Sequence, residues 1–399
     1  MLSNAPSPYL SPVYRLLKSE AEWDLTICYV SAWNSDVGWS RAQAHRFISE
    51  SDVILSDQYP QITHWFGEQI AGAMSLFSKM IKQRPNLFLV YGYTRLPQLL
   101  LIICSLLFQL PFAIAGDANY YIDRSRGLRR RLKSWWLRLL ARRAAGIAVV
   151  GTACQMFWEA YGASPERFFH VGFAVDNDYF REESLNQKKR AMSTRQQYGW
   201  SHSVVFLYVG RLIKRKNIDC LITAAQQIKD LPIAVLIAGE GEERESLQAL
   251  ARDSNIISFV GSLTQAELPF YYAMSDVLVL PASKEPWGLV INEAMACGLA
   301  VIAHQHCGAA VDLVTTENGI KLQDISVEEL VLAIRCLAAD VSRLRDCQIK
   351  STGTIKDWSI SRSVSQLKDL ISSTLRPIPG SIDGVSEALN VKASSEEIK

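Results

Sequence analysis

Glu285 and Glu293 stand eight positions apart in the run Pro281-Ala282-Ser283-Lys284-Glu285-Pro286-Trp287-Gly288-Leu289-Val290-Ile291-Asn292-Glu293. A strand is expected to end near Leu280, a loop to carry Glu285, and a helix to begin at about Gly288. The N–H groups of Leu289 and Val290 would then open toward the sheet edge as an anion site. Glycine at 288 lets a phosphate or sugar lie against the main chain. A carboxylate beside a pyrophosphate is repelled unless it faces hydroxyls. Both glutamates are therefore expected to bind sugar hydroxyls, one on a transferred hexose and one on a ribose. Two helix-start carboxylates interacting with the helix dipole are the alternative, which suits Glu285 but not Glu293, set deeper in the helix.

Counter-charge for a diphosphate stands upstream. The loop Gly210-Arg211-Leu212-Ile213-Lys214-Arg215-Lys216-Asn217 follows a buried strand and precedes an amphipathic helix. A guanidinium fork at Arg211 and a flexible ammonium at Lys216 can hold a diphosphate there. A solvated basic loop fits the same residues, although helix starts disfavour cations. Gly239-Glu240-Gly241 occupies the matching edge after the next strand. Taken alone it reads as a tight turn more readily than as a place of close ligand approach.

These loops need a frame, and the pattern around them supplies one. Val204 to Val209 is a continuous apolar run, as a buried parallel strand requires. Ile218, Leu221, Ile222, Ala225 and Ile228 then give a helical apolar stripe. Strands are expected at 233–238, 256–260, 277–280 and 300–303, with helices at 242–252, 265–274 and 289–297 between them. The first half repeats this grammar with strands at 25–30, 53–55, 87–90, 112–115 and 147–150. Such βαβ repeats make doubly wound parallel sheets, whose ligands sit at the carboxyl ends of the strands.

At 399 residues the chain exceeds one hydrophobic core. The division expected is one Rossmann-like domain over 1–180, a polar connector over 181–200, and a second Rossmann-like domain over 201–360. A helix over 361–376 packs back toward the first domain, and 377–399 form a disordered tail. A formal net charge of +2 gives no argument for nucleic acid. Eight cysteines without a C-x-x-C pair argue against a zinc site or a disulfide framework and fit a reducing cytoplasm. No basic-then-apolar leader opens the sequence. The apolar stretch 99–115 approaches the length of a membrane span, but Gln109 and Pro111 divide it into a helix and a strand.

With these motifs together, the stretch Val209 to Ile320 resembles the donor domain of the retaining GT-B glycosyltransferases of family 4. The residues that carry the likeness are Gly210, Arg211 and Lys216, the G-E-G turn, and Glu285 and Glu293 followed by Ala294-Met295-Ala296-x-Gly298. Gly308 and Asn318-Gly319 complete it. The first half is similar more loosely, through Pro6-Ser7-Pro8-Tyr9, Tyr91-Gly92-Tyr93, Gly116-Asp117 and Val175-Asp176-x3-Phe180. It departs at its start: relatives begin with a strand before the Pro-Ser-Pro-Tyr loop, and only Met1 to Ala5 precede it here. The beginning is thus expected to be truncated or the loop weakly anchored.

The resemblance implies two Rossmann-like domains facing across a cleft. In it, Arg211 and Lys216 neutralise the diphosphate, Glu285 binds the donor sugar and Glu293 the ribose. Gly239, Glu240, Gly288, Leu289 and Val290 complete the donor site, and Pro8, Tyr9 and Tyr93 stand on the acceptor side. It implies a hexosyl transfer with retention, by front-face displacement in which the departing phosphate oxygen takes the acceptor proton. No cofactor and no divalent metal are expected, since the two cations do the work of a magnesium ion. Asp117 matches a position where relatives present a cleft-facing His or Asp. It is expected to orient the acceptor or steady charge developing on the sugar, although an ordinary helix cap fits it as well.

One further segment carries chemistry. From Arg124 to Arg143 nine cations stand without an acid, among them Arg129, Arg130, Arg131 and Lys133, interleaved with Trp135 and Trp136. This reads as a helix on an anionic membrane, against the alternative of an amphipathic helix with a solvated basic face. The acceptor is then a glycan or lipid-linked glycan in polysaccharide or glycolipid biosynthesis. The chain is expected to be cytoplasmic, peripheral at the inner membrane surface, with no nucleic-acid partner. A non-catalytic nucleotide-sugar-binding partner and a GT-B epimerase are the competing readings; a phosphorylase would need a pyridoxal lysine context that is not identifiable.

Overall fold

Apolar runs bounded by glycine become two parallel sheets. The computed structural model describes residues 1–20, 23–31, 85–122 and 127–375, with 46, 48–49 and 52–54 between. Arg124, Arg126 and the 377–399 tail, singled out from the sequence, lie outside the described residues.

The first sheet contains β1 (Leu2–Ser3), β2 (Cys28–Tyr29), β3 (Val53–Ile54), β4 (Phe88–Tyr91), β5 (Phe112–Gly116), β6 (Gly146–Val149) and β7 (Phe168–His170), in the order β3-β2-β1-β4-β5-β6-β7. Among the described residues its helices are α1 (Leu10–Glu20), α2 (Leu96–Leu107), α3 (Gly127–Arg143) and α4 (Thr152–Ala160). The expected weak anchoring of the first loop is corrected here. Leu2 and Ser3 form a strand between β2 and β4, Leu2 facing Cys28 and Val90. Asn4 beyond it accepts from the Gln98 amide at 2.6 Å.

The polar stretch 181–200 is mostly helical, within α5 (Asn177–Asn186) and α6 (Lys188–Gln197), and both helices lie on the second domain. Phe180 of α5 is fully buried, and Arg195 of α6 pairs with Asp276 at 3.0 Å. A segment rich in Lys, Arg and Gln forms good helices, because straight side chains lose little freedom there. The few apolar side chains suffice to dock them.

The second sheet runs through β8 (Val204–Val209), β9 (Ile233–Ala238), β10 (Ile257–Gly261), β11 (Val277–Leu280), β12 (Ala300–His304) and β13 (Gly319–Leu322), in the order β10-β9-β8-β11-β12-β13. Val205 to Tyr208 and Val277 to Val279 are wholly buried, which explains their unbroken apolarity. Between the strands lie α7 (Ile218–Gln227), α8 (Arg244–Leu250), α9 (Leu268–Ala273), α10 (Leu289–Ala296) and α11 (Gly308–Leu313).

After α12 (Val327–Ala338) and α13 (Val341–Ile355), the chain crosses back, and α14 (Ile360–Leu375) lies against α1, β6 and β7 of the first sheet. The two crossings are tied together: the Asn177 amide donates to the carbonyls of Ile355 at 3.0 Å and Trp358 at 3.2 Å.

Candidate functional site

In each sheet the strand order reverses beside its first strand, between β1 and β4 and between β8 and β11. Crevices for ligands open at the carboxyl ends of such strand pairs. The loop after β1 holds Pro8 and Tyr9, and the loop after β4 holds Gly92 and Tyr93. The loop after β8 holds Arg211 and Lys216, and that after β11 holds Glu285. The topology therefore gathers four motifs, distant in sequence, on two facing lips.

On the second lip the two loops are stitched into one surface. Ser283 donates its backbone N–H to the Arg215 carbonyl at 3.0 Å, and the Asn217 amide donates to the Pro281 carbonyl at 2.9 Å. Asn217 takes a left-handed conformation to do so, at φ 52°. Neither residue was singled out from the sequence; Asn at the end of a basic loop was the available signal. Lys216, mostly buried, forms an ion pair with Glu285. The residues expected on diphosphate and on sugar thus neutralise each other here. Arg211 is exposed at the rim.

Gly288 caps α10 at φ +100°, a conformation that glycine alone takes without strain, and no side chain caps the helix. Leu289 and Val290 of the first turn are partly exposed, and the first N–H groups of a helix have no partner within it. At Gly239 packing decides the residue: a Cβ would stand 1.8 Å from the Gly210 carbonyl oxygen. The G-E-G turn extends the sheet, with Leu212 N–H donating to the Glu240 carbonyl at 2.8 Å, and Glu240 pairs outward with Arg244. That turn shapes the Arg211 loop from behind.

Glu293 departs from the open ribose contact expected of it. Its carboxylate is fully buried. Tyr9 donates its hydroxyl to Oε1 and Tyr272 donates to Oε2, each at 2.6 Å. Burial pushes the carboxyl up to about 7, tempered by these two hydrogen bonds. Both phenols are in turn held well above their ordinary range, by burial and then by the glutamate charge. Tyr9, expected on the acceptor side, points across the domain boundary.

On the first lip Asp117 has exposed surface at the cleft, and no described helix begins behind it to make it a cap. The protein mass around its carboxyl raises its pKa, and the charge of Glu285 adds to this. Pro8 is buried, and Tyr93 stands edge-on to Trp158 at 5.4 Å. An apolar hollow lies between Tyr9, Leu10, Tyr91, Gly116, Phe173 and Leu367. The hydroxyl of Tyr91 is buried without a hydrogen-bond partner.

Sequence reasoning also missed Asn119. Its buried amide donates to the carbonyls of Glu285 at 3.3 Å and of Pro286 and His306 at 3.2 Å. Tyr121 stacks on His306 with centroids 4.2 Å apart, and Thr152 bonds to Asp312 through both N–H and hydroxyl. None of these pairs has a spacing signal, since each joins the two domains. Among the described residues no three His, Cys, Asp or Glu side chains gather to hold a metal.

The basic segment is a helix from Gly127 to Arg143, seated by Leu137, Leu140 and Ala141. Arg130, Arg131, Trp135 and Arg138 are exposed, Trp135 by 65%. Trp136 is corrected: it packs against the core, with a buried indole N–H. Lys133 is half-buried, and the Arg129 side chain lies outside the described residues. Because α2 and α3 follow consecutive parallel strands, right-handed crossovers put them on the same face. Leu107 and Phe108, 73% and 61% exposed, stand at the end of α2 on that face. Among the described residues no helix is long and apolar enough to cross a membrane.

Comparison with known proteins bears on this geometry. Residues 193–352 match the family model Glycosyl transferases group 1. The GDP-mannose-dependent alpha-(1-6)-phosphatidylinositol monomannoside mannosyltransferase of Mycolicibacterium smegmatis is 28% identical over 229 residues, 54% of this chain and 59% of the relative. The D-inositol 3-phosphate glycosyltransferase of Corynebacterium aurimucosum is 26% identical over 245 residues, 58% of each chain. The chain thus spans under three fifths of the length of these curated relatives. Among solved structures, Anabaena HepE in complex with UDP and glucose superposes with a TM-score of 0.69 at 17% identity, covering 93% of this chain and 98% of that one. Sucrose-phosphate synthase of Thermosynechococcus elongatus superposes with a TM-score of 0.72 at 18% identity, covering 93% and 97%. The fold is GT-B.

Proposed function

We propose, for a chain that carries a glycosyl transferases group 1 domain in a GT-B frame, that it transfers a hexosyl group from a nucleoside-diphosphate sugar to a glycan or lipid-linked acceptor, with retention. The observation that carries this reading is the Lys216–Glu285 pair, set between the Arg211 loop and the uncapped start of α10 and facing Asp117. A cation, an anion site and a hydroxyl acceptor at one sheet edge suit a sugar diphosphate.

Donor binding would turn Lys216 from Glu285 to the diphosphate and release the carboxylate to the sugar hydroxyls. Arg211, Lys216 and the N–H groups of Leu289 and Val290 would then stabilise the leaving diphosphate as its charge develops, without a divalent metal. Glu293 would take the ribose. The departing phosphate oxygen would receive the acceptor proton, and Asp117 would orient the acceptor hydroxyl or steady the charge on the sugar. The hollow beside Tyr91 and Phe173 lies where the acceptor would approach.

The curated relatives are named for transfer to phosphatidylinositol mannoside and inositol phosphate, and HepE is described with UDP and glucose. These names suit a donor of this kind and leave the base open between guanine and uracil. The exposed Arg130, Arg131, Arg138 and Trp135, with Leu107 and Phe108 on the same face, suit a peripheral contact with anionic lipid.

A panel of UDP-, GDP- and ADP-sugars, followed by mass spectrometry with and without lipid and glycan acceptors, tests the activity. Turnover of one donor with an anomerically retained product is expected. Binding of a nucleotide sugar with neither hydrolysis nor transfer, under any acceptor, would replace the transferase by a binding partner.

A further inference from the structure

Two phenols from different domains share one buried carboxylate. Glu293 offers two oxygens in a fully buried position, and each already accepts a phenol O–H at 2.6 Å. The two donors differ in origin. Tyr272 stands on α9 of the same domain, wholly buried, with Phe180 edge-on to its ring at 6.1 Å. Tyr9 comes from the other domain, on the loop between β1 and α1. Any motion that parts the domains at this point separates Tyr9 from Glu293 and leaves Tyr272 in place.

We propose that Tyr9 holds the place of the donor ribose in the empty chain: its hydroxyl occupies the Glu293 oxygen that a ribose hydroxyl takes, and donor binding exchanges one for the other. The inference rests on the reading of Glu293 as the ribose contact. Chemically the exchange is even, because an O–H donor replaces an O–H donor on a buried carboxyl oxygen that is costly to leave unpaired. The carboxylate is therefore never left bare in the closed cleft. Tyr272 keeps the other oxygen in both states and fixes the carboxylate plane. Tyr9 is a positioning residue that sets donor affinity, and Tyr272 is its fixed counterpart.

The two phenols consequently have opposite effects, which a merely structural role would not give. Calorimetric titration with UDP and GDP, using the one that the wild-type chain binds, reads the difference. Tyr9→Phe keeps the ring and removes the competitor, so the nucleoside diphosphate binds about tenfold tighter. Tyr272→Phe and Glu293→Gln bind it more weakly. Inorganic pyrophosphate, which has no ribose, binds wild type and Tyr9→Phe alike. If Tyr9→Phe leaves nucleoside diphosphate affinity unchanged or weakens it while Glu293→Gln still weakens it, the exchange is wrong and the ribose reading stands. An equal gain for pyrophosphate also overturns the exchange, because Tyr9 then acts by loosening the domains. If Glu293→Gln binds as wild type does, the ribose reading fails and the exchange falls with it.

Discussion

The side-chain amide of Asn119 donates to the backbone carbonyl of Glu285 at 3.3 Å, joining the loop after β5 to the loop that carries the central carboxylate. Two amide hydrogens serve three carbonyls, those of Glu285, Pro286 and His306, so the Glu285 loop and the start of α11 are held by their main chain from the opposite domain. Position is transmitted without any contact to the Glu285 side chain. Asn119→Asp replaces the donor by an acceptor facing carbonyl oxygens. Transfer is expected to fall by about tenfold or more in kcat/KM, with nucleoside diphosphate affinity within about threefold of wild type. Steady-state kinetics beside calorimetry checks the split.

Glu285 is paired with Lys216 but is assigned to the sugar. Glu285→Ala should abolish transfer while nucleoside diphosphate binding stays within about threefold, since other groups hold the diphosphate. Full transfer by this variant would remove the site assignment.

The buried carboxyl of Glu293 gives a pH signature. Its value of about 7 lies above the 4.5 of an ordinary glutamate. Between those values the folded chain binds more protons than the unfolded chain, so this group's contribution falls as pH rises through the window and is constant above it. Below 4.5 both states are protonated and the penalty is absent. Wild type should therefore lose stability relative to Glu293→Gln between pH 4.5 and 7.5. Urea midpoints at pH 5 and pH 8 read the sign directly.

Two glycines separate packing from propensity. Gly239→Ala forces a Cβ to within 1.8 Å of the Gly210 carbonyl at φ +144°, so it should cost about 2–4 kcal/mol by strain and overpacking. Gly353 lies in α13 with nothing within 4 Å of an added Cβ. Gly353→Ala is expected to stabilise the chain by about 0.5–1 kcal/mol. Thermal melting of both variants orders them.

Membrane contact has its own test. Trp135→Ser with Arg131→Glu and Arg138→Glu should lower co-sedimentation with phosphatidylserine vesicles, by about 1 kcal/mol for each arginine lost. Pure phosphatidylcholine vesicles should bind both proteins weakly. Equal binding of wild type to neutral and anionic vesicles would count against the basic face.

What was legible from the sequence followed local rules. Val204–Val209, Ile233–Ala238 and Val277–Leu280 are strands with the bounds that their apolar runs gave, because a strand buried on both faces has no polar residue to blur its ends. The loops after them carried their charges in plain view, and strand–helix alternation implied that they share a sheet edge. The helices within the polar 181–200 stretch were not legible, because a polar helix that docks through few residues looks like a linker. Tertiary structure alone decided the partners: Lys216 with Glu285, Tyr9 and Tyr272 on Glu293, and Asn119 under the donor loop. Hydrogen bonds and ion pairs act within a few ångströms, and their members can lie anywhere along a chain. Periodicity reports which face a residue lies on; only the packing of elements distant in sequence fixes what stands opposite.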